Sequence, residues 1–279
     1  MRILSYQLFL EELVGEKPIS DLQSYIDGMS MSMKDKVFFI DMVDFDVIVD
    51  FGCADGTFLQ HISRSKPNVK LIGYDLDETM LSKAKTKLGD SALLTSKWDE
   101  VVNEVYQYDK PLLNLSSVIH EVYSYSHPKV IKKFWSDQVF GNDFKWITIR
   151  DMIPSIELGK EEISQFKDDV KKVRLKTDKD YLRSFEKRWG TISDNYRTFM
   201  HYLLKYRYTD NWDREVNEDY LPVSLETVKN KIPNGYKIVY EKDFLLPFLK
   251  QQVKKDFNVD LVHSTHTKMI IKNKSFRKR

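Results

Sequence analysis

The chain has 279 residues, of which 42% are hydrophobic and 31% are charged, and its formal net charge is +2. This composition supplies a substantial core and excludes an intrinsically disordered chain. A single cysteine, Cys53, excludes an intramolecular disulfide and a cysteine-rich zinc site. No segment approaches the ~18 apolar residues that a membrane span requires, and the N-terminal sequence lacks the features of a signal peptide. A cytoplasmic protein with no membrane association is therefore expected.

The first half of the chain alternates strand and helix patterns. Amphipathic periodicity predicts helices at 4–14 and 20–33, which together suggest an N-terminal helical cap over residues 1–45. Short apolar runs then predict five strands, at 47–51, 69–77, 92–97, 111–119 and 144–152. Helical patterns separate them. Such alternation predicts a parallel sheet that is covered by helices on both faces.

The pattern changes after Pro154. Residues 157–220 are charged and aromatic and predict a helical insertion. Strand and helix patterns then resume with a helix capped by Ser224, strands at 236–244 and 266–273, and a helix between them. The predicted organisation is a core formed by 46–156 and 221–279, interrupted by an insertion that acts as a lid over the acceptor.

A glycine turn follows the first strand. The sequence from Asp50 to Gly56 reads acid-x-Gly-x-Ala-x-Gly, and Asp75 ends the next strand. Glycines let the backbone approach a ligand closely, and the free N–H groups of the following helix can face that ligand. An acid at Asp75 can accept both hydroxyls of a ribose. A dinucleotide fingerprint would need glycine at positions 54 and 57, which hold Ala54 and Thr57, so these residues alone indicate only a nucleotide-like ligand.

The same residues resemble a known family. "VDFGCADGTFL" followed by "IGYDLD" is similar to the first two motifs of class I S-adenosylmethionine-dependent methyltransferases, with Ala54 in place of the usual third glycine. "LLNLSSVIHEVYSY" and "ITIRDMIP" are similar to their fourth strand with its loop and to their fifth strand. The resemblance implies an α/β fold with a seven-stranded, mostly parallel, doubly wound sheet and a reversed C-terminal hairpin. It also implies S-adenosylmethionine as the cofactor.

The resemblance assigns cofactor-binding roles to ten residues. Asp50 would face the amino group of the methionine moiety, and Asp75 would bind the ribose hydroxyls. The other positions are Gly52, Cys53, Ala54 and Gly56 along the methionine moiety, Leu76, Trp98 and Asp99 at the adenine, and Ser116 near the sulfonium.

The chemistry requires the acceptor to be aligned and often deprotonated. His120 follows the fourth predicted strand and is the main candidate base, with a structural or cofactor-contact role as the alternative. Other candidates are Glu121, Asp151, His263 and His266. The histidines show no metal-ligand spacing, so no metal is expected. No cysteine lies outside the cofactor turn, which excludes carbon-5 methylation of pyrimidines through a covalent cysteine adduct.

The acceptor class remains open. Basic and aromatic residues interleave within 157–220, and nine Lys/Arg against two Asp lie between Lys250 and Arg279. These features slightly favour a nucleic acid acceptor, RNA or DNA, or a nucleotide. However, residues 160–219 contain fourteen Lys/Arg and thirteen Asp/Glu, so a lid over a small-molecule acceptor is the main alternative. A non-catalytic partner protein on a methyltransferase scaffold is the third.

Overall fold

The computed structural model describes residues 33–155, 158 and 163–276, and elements are numbered from the first of these. The predicted helix at 4–14 lies outside the described residues, as does all of 20–33 except Met33. The last three residues of the basic C-terminus also lie outside them.

A seven-stranded sheet forms the centre of the protein, in the order β3-β2-β1-β4-β5-β7-β6. The first five strands run parallel, and β7 runs antiparallel to both β5 and β6. The predicted fold class is therefore confirmed, including the reversed C-terminal hairpin. The strands are β1 (Val47–Phe51), β2 (Lys70–Tyr74), β3 (Ala92–Thr95), β4 (Pro111–Ser116), β5 (Trp146–Asp151), β6 (Tyr236–Phe244) and β7 (His266–Asn273).

Helices follow most strands, as the alternating pattern predicts. Ser224 accepts a hydrogen bond from the Thr227 N–H and caps its helix as expected. None of the helices within the described ranges is both long and apolar enough to cross a membrane. The helices are α1 (Met33–Lys36), α2 (Thr57–Ser65), α3 (Glu78–Leu88), α4 (Trp98–Val105), α5 (Ile119–Tyr125), α6 (Pro128–Lys133, continued by a π-helical turn over Phe134–Val139), α7 (Ile163–Lys176), α8 (Lys179–Trp189), α9 (Tyr196–Lys205), α10 (Trp212–Glu215), α11 (Leu225–Lys229) and α12 (Pro247–Phe257).

A polar row crosses the otherwise apolar centre of the sheet. Asp50, Asn114 and Thr148 are register partners on β1, β4 and β5. The Asn114 amide donates to Asp50 at 2.8 Å, and the Thr148 hydroxyl donates to Asn114 at 2.9 Å. All three residues are buried. Because each polar group has a partner, the row is tolerated inside the sheet and fixes the orientation of the Asp50 carboxyl group.

The segment between β5 and β6 has its own apolar core. Buried residues of α7, α8 and α9 pack together with Leu249, Val253 and Phe257 of α12. This cluster is distinct from the two clusters that line the sheet. The insertion thus packs onto α12. This contact holds the insertion beside the carboxyl ends of β4 and β5.

Gly56 begins α2 where a side chain would not fit. Its φ is +76°, and a Cβ atom added there would lie 2.9 Å from the Ala84 Cβ on α3. The close approach of α2 to α3 therefore depends on a residue without a side chain.

We expect Gly56→Ala to lower the free energy of unfolding by about 2 kcal/mol or more, since it combines left-handed strain with overpacking. Urea denaturation measures the loss. Gly235→Ala is the matched control, because its added Cβ would meet only Ser275 at 3.7 Å. Equal losses in the two variants would contradict this account of the turn.

Candidate active site

The glycine turn is bound to the end of the neighbouring strand. The N–H groups of Gly52 and Cys53 both donate to the carbonyl of Tyr74, at 2.8 and 3.0 Å. Ala54 adopts a φ of +46°, and its N–H donates to the Asp75 carboxylate at 2.7 Å. The other Asp75 oxygen accepts from the Asp77 N–H at 2.9 Å. Asp75 therefore sits directly against the turn, at the carboxyl edge of β2.

Cys53 points into the core. Its side chain is buried, and its sulfur lies where a side chain on Gly73 would clash, 2.8 Å from the added Cβ. Burial raises the pKa of the thiol, and the nearby Asp50 charge raises it further. The thiol is thus a packing group and not an exposed nucleophile.

The residues predicted to lie near an adenine occupy one edge of the sheet. Trp98 begins α4, with its ring centroid 5.4 Å from that of Phe51 and 5.1 Å from that of Tyr74. Its indole N–H is buried and has no hydrogen-bond partner among the described residues. Leu76 is half-buried and packs on the same apolar cluster, whereas Asp99 is exposed in the first turn of α4. The Ser116 hydroxyl at the end of β4 is likewise buried without a described partner.

Lys36 brings a positive charge to the carboxyl edge of the sheet. Its side chain is buried, and burial lowers its pKa to about 8, with the Arg150 charge adding to this effect. The carboxyl groups of Asp50, Asp55 and Asp151 favour the charged form of the lysine. The sequence did not single out Lys36, because the segment before β1 carries no recognisable motif.

His120 lies between two carboxylates. Its Nδ1 is 2.6 Å from Asp151 Oδ1, and its Nε2 is 3.1 Å from Glu218 Oε1. The second Asp151 oxygen accepts from the N–H groups of Val118 and Ile119, at the start of α5. Burial by itself would lower the pKa of His120, but the two carboxylates outweigh it and hold the pKa well above its usual value.

The protonated ring donates through both nitrogens, so it has no lone pair with which to accept a proton. This arrangement does not suit the general-base role predicted for His120. It suits the structural alternative, in which the imidazolium joins β5 to the insertion.

Lys205 holds the loop that carries Glu218. Its buried ammonium donates to the carbonyls of Glu215 and Glu218, and it lies 4.6 Å from the ring centroid of Tyr220. The Ser124 hydroxyl on α5 accepts from the Asp219 N–H at 3.0 Å. The insertion therefore meets α5 through fixed polar contacts, which the sequence could not indicate.

Glu121 lies beside His120 and Glu218, and its side chain is more exposed than theirs. Burial raises its pKa to about 7, with a further contribution from the charge of Glu218. Ligand atoms of His120, Glu121 and Glu218 lie within 4.8 Å of one another, a set that could hold a cation. Arg214 Nη2 lies 3.4 Å from Glu121, and Arg214 Nε lies 4.0 Å from Glu218, so a guanidinium already supplies positive charge there.

The remaining candidate bases, His266 and His263, pack against other side chains, although His266 is close enough to Arg150, Asp151 and His120 to interact with their charges. His266 begins β7, is buried, and its Nδ1 lies 2.9 Å from the Thr265 hydroxyl. Burial lowers the pKa of His266 well below its usual value. His263 packs against Tyr196, with ring centroids 5.1 Å apart.

No known protein-family profile matches the chain. The carboxy-S-adenosyl-L-methionine synthase of Nautilia profundicola is 46% identical over 44 residues, which are 16% of this chain. The chain thus covers only about a fifth, 19%, of that relative's length.

Several solved structures are similar in outline. The plantazolicin methyltransferase BamL has a TM-score of 0.46 and 12% identity, covering 92% of this chain and 88% of that one. A SAM-dependent methyltransferase from Archaeoglobus fulgidus has a TM-score of 0.45 and 15% identity, covering 87% and 93%. The YcgJ protein from Bacillus subtilis has a TM-score of 0.48 and 10% identity, covering 87% and 97%. All three TM-scores are below 0.5, so the fold assignment rests on the strand order of the sheet itself.

The His120 contacts predict a pH dependence of stability. In the unfolded chain the histidine titrates near pH 6.5, whereas the folded chain keeps the proton to higher pH. Its contribution is therefore fully present below pH ~6.5 and is lost as the pH rises through the raised folded-state pKa. We expect the stability advantage of the wild type over His120→Gln to shrink between pH 6 and pH 9. Urea denaturation at both pH values measures it, and a constant difference would show that the ring is not held protonated.

Proposed function

We propose that this protein is an S-adenosylmethionine-dependent methyltransferase that acts on an oxygen or nitrogen atom of a small molecule. The observation that carries the proposal is the glycine turn at the carboxyl edge of β1, bonded through Ala54 to Asp75 at the end of β2. Ligands of open parallel sheets bind at this edge, beside such turns. The relative that matches 44 residues of this chain is a carboxy-S-adenosyl-L-methionine synthase, whose chemistry also concerns S-adenosylmethionine.

The residues present fit the parts of this cofactor. In this proposal Asp75 accepts from the ribose hydroxyls, and the buried indole N–H of Trp98, which has no partner among the described residues, donates to the adenine. We assign Asp50 to the amino group and the Lys36 ammonium to the carboxylate of the methionine moiety. Burial raises the pKa of Asp50 to about 7, and the Lys36 charge opposes that rise. When bound, the cofactor supplies an electrophilic methyl group. The protein's task is then to align the acceptor and to take up its proton.

Glu121 is the better candidate for proton uptake. Its pKa of about 7 is close to neutral, and its side chain is more exposed than that of His120. A carboxylate with a raised pKa can accept a proton near neutral pH. His120 then serves as a positioning residue that holds Glu218 and the insertion in place.

The aromatic residues of the insertion favour a small acceptor over a nucleic acid. Seven of the eleven between 163 and 220 are buried, and only Tyr208 is clearly exposed. Base stacking requires open aromatic faces. The buried side chains form the core of the insertion instead, as Phe166, Phe185, Tyr196, Phe199, Tyr202, Trp212 and Tyr220.

Seven basic residues of the insertion form ion pairs within the chain. Binding to a phosphate backbone requires cations that are free to replace counterions. Many here contact carboxylates of the same chain instead. The pairs are Lys171–Asp168, Lys172–Asp169, Arg174–Glu186, Arg183–Asp180, Arg197–Asp219, Arg207–Asp256 and Arg214–Glu121.

Calorimetric titration with S-adenosylhomocysteine tests the cofactor site, because this demethylated product of the cofactor keeps its ribose and amino acid parts. We expect Asp75→Asn to weaken binding by roughly 10- to 100-fold, the value of about one or two charge-assisted hydrogen bonds. Asp90→Asn is the matched control, since Asp90 is exposed and pairs only with Lys85 among the described residues. A wild-type dissociation constant no tighter than millimolar would refute the proposal.

A gel shift with tRNA tests the acceptor class. We expect no retardation at low salt, because seven cations of the insertion pair with carboxylates and seven of its eleven aromatic rings are buried. A complex that forms at 50 mM salt and dissociates at 200 mM would support a nucleic acid acceptor instead.

A further inference from the structure

Arg150 is a buried cation with unused donors. It is the penultimate residue of β5 and is 4% exposed. Its Nη1 donates to the Ser117 hydroxyl at 3.0 Å, but Nε and Nη2 have no hydrogen-bond partner among the described residues. Leaving buried charged donors unpaired is costly, so such a group in a native fold requires an explanation.

The nearest carboxylates are committed to other groups. Both oxygens of Asp151 accept hydrogen bonds, from the backbone at the start of α5, from His120 and from the Met152 N–H. Asp35 forms an ion pair with Lys268 at 2.6 Å. These acids favour the charged guanidinium electrostatically, but no described side chain satisfies its free edge.

The free edge has a defined shape. Nε and Nη2 form one edge of the planar guanidinium group and present two parallel N–H groups. This fork matches the two oxygens of a carboxylate. The geometry therefore selects a planar anionic group over a single hydroxyl or carbonyl.

Aromatic side chains stand beside the guanidinium. The Arg150 Cζ lies 5.7 Å from the ring centroid of Phe244, and the Lys268 ammonium lies 4.4 Å from the same centroid. Tyr208 is 52% exposed and interacts electrostatically with Arg150. A cation flanked by flat apolar surfaces suits a carboxylate attached to an aromatic or other planar body.

The position of Arg150 separates it from the glycine turn. β5 lies two strands from β1, which is roughly 10 Å at the usual strand spacing. Its register partner is Ser116, the residue predicted to lie near the sulfonium. An anion held by Arg150 would thus sit on the far side of β4 from the turn, where an acceptor would approach.

We propose that the acceptor carries a carboxylate, which binds the Nε–Nη2 edge of Arg150, with its planar body against Phe244 and Tyr208. This inference rests on the proposed function and names the chemical class of its substrate. The cofactor's own carboxylate has the same chemistry, and the experiment below distinguishes the two sources.

Benzoate is the probe, titrated calorimetrically into the full chain with and without saturating S-adenosylhomocysteine. We expect benzoate to bind the wild type and Arg150→Gln to weaken that binding at least about tenfold, with S-adenosylhomocysteine affinity unchanged within about twofold. Arg183→Gln is the matched control, because Arg183 is exposed and pairs with Asp180. It should bind both ligands as the wild type does.

Arg150→Lys is the second variant, and thermal unfolding shows whether each variant is folded. Lysine keeps the charge but lacks the two parallel N–H groups, so the benzoate affinity of this variant should fall below that of the wild type even if Arg150→Gln does not fold.

Equal benzoate binding by the folded variants and the wild type would overturn the proposal, as would no binding to the wild type at about 10 mM. A tenfold loss of S-adenosylhomocysteine affinity in Arg150→Gln would assign Arg150 to the cofactor instead. If S-adenosylhomocysteine fails to bind the wild type, the methyltransferase proposal fails, while benzoate alone still tests Arg150.

Discussion

The buried His120 cation, held between Asp151 and Glu218, joins the two halves of this protein. Asp151 belongs to the sheet, His120 to the helix after β4, and Glu218 to the insertion. A charge removed from water is stable only when its partners are complete, and loss of one partner typically costs about 3–5 kcal/mol. Movement of the insertion away from the sheet would therefore expose the His120 charge to solvent or leave a buried charge without its partner.

This constraint shapes the pocket that we assign to the acceptor. Buried residues of α7, α8 and α9 share one apolar cluster with α12, so the segment between β5 and β6 packs onto the helix that connects β6 to β7. The polar contacts to α5 fix the position of this segment. As a result, Tyr208 comes close to the end of β5 and the start of β7, where Arg150 and Lys268 lie side by side. Residues far apart in the chain thus form the part of the site that would recognise an acceptor.

Local signals predicted much of the fold. The strands at 236–244 and 266–273 match the structure residue by residue. The helix predicted between the second and third strands is present at Glu78–Leu88, where Asp77 caps it and Gly89 ends it. The predicted strand at 111–119 was too long, because Ser117 takes a φ of +58° and α5 begins at Ile119. An apolar run does not reveal where a backbone turns. The slight preference for nucleic acid was not supported, because composition cannot tell a buried aromatic ring from an exposed one.

The sequence by itself determined the order of strands and helices, the glycine turn and the acid at Asp75, because these depend on periodicity and on residues within a few positions of each other. The distances across the sheet depend on strand order, which is a property of the whole chain. Only the tertiary structure placed Glu218 against His120, across 98 positions, and so converted a candidate base into a paired cation. Only the tertiary structure left the Nε–Nη2 edge of Arg150 without a described partner, since pairing depends on which side chains the fold brings within reach.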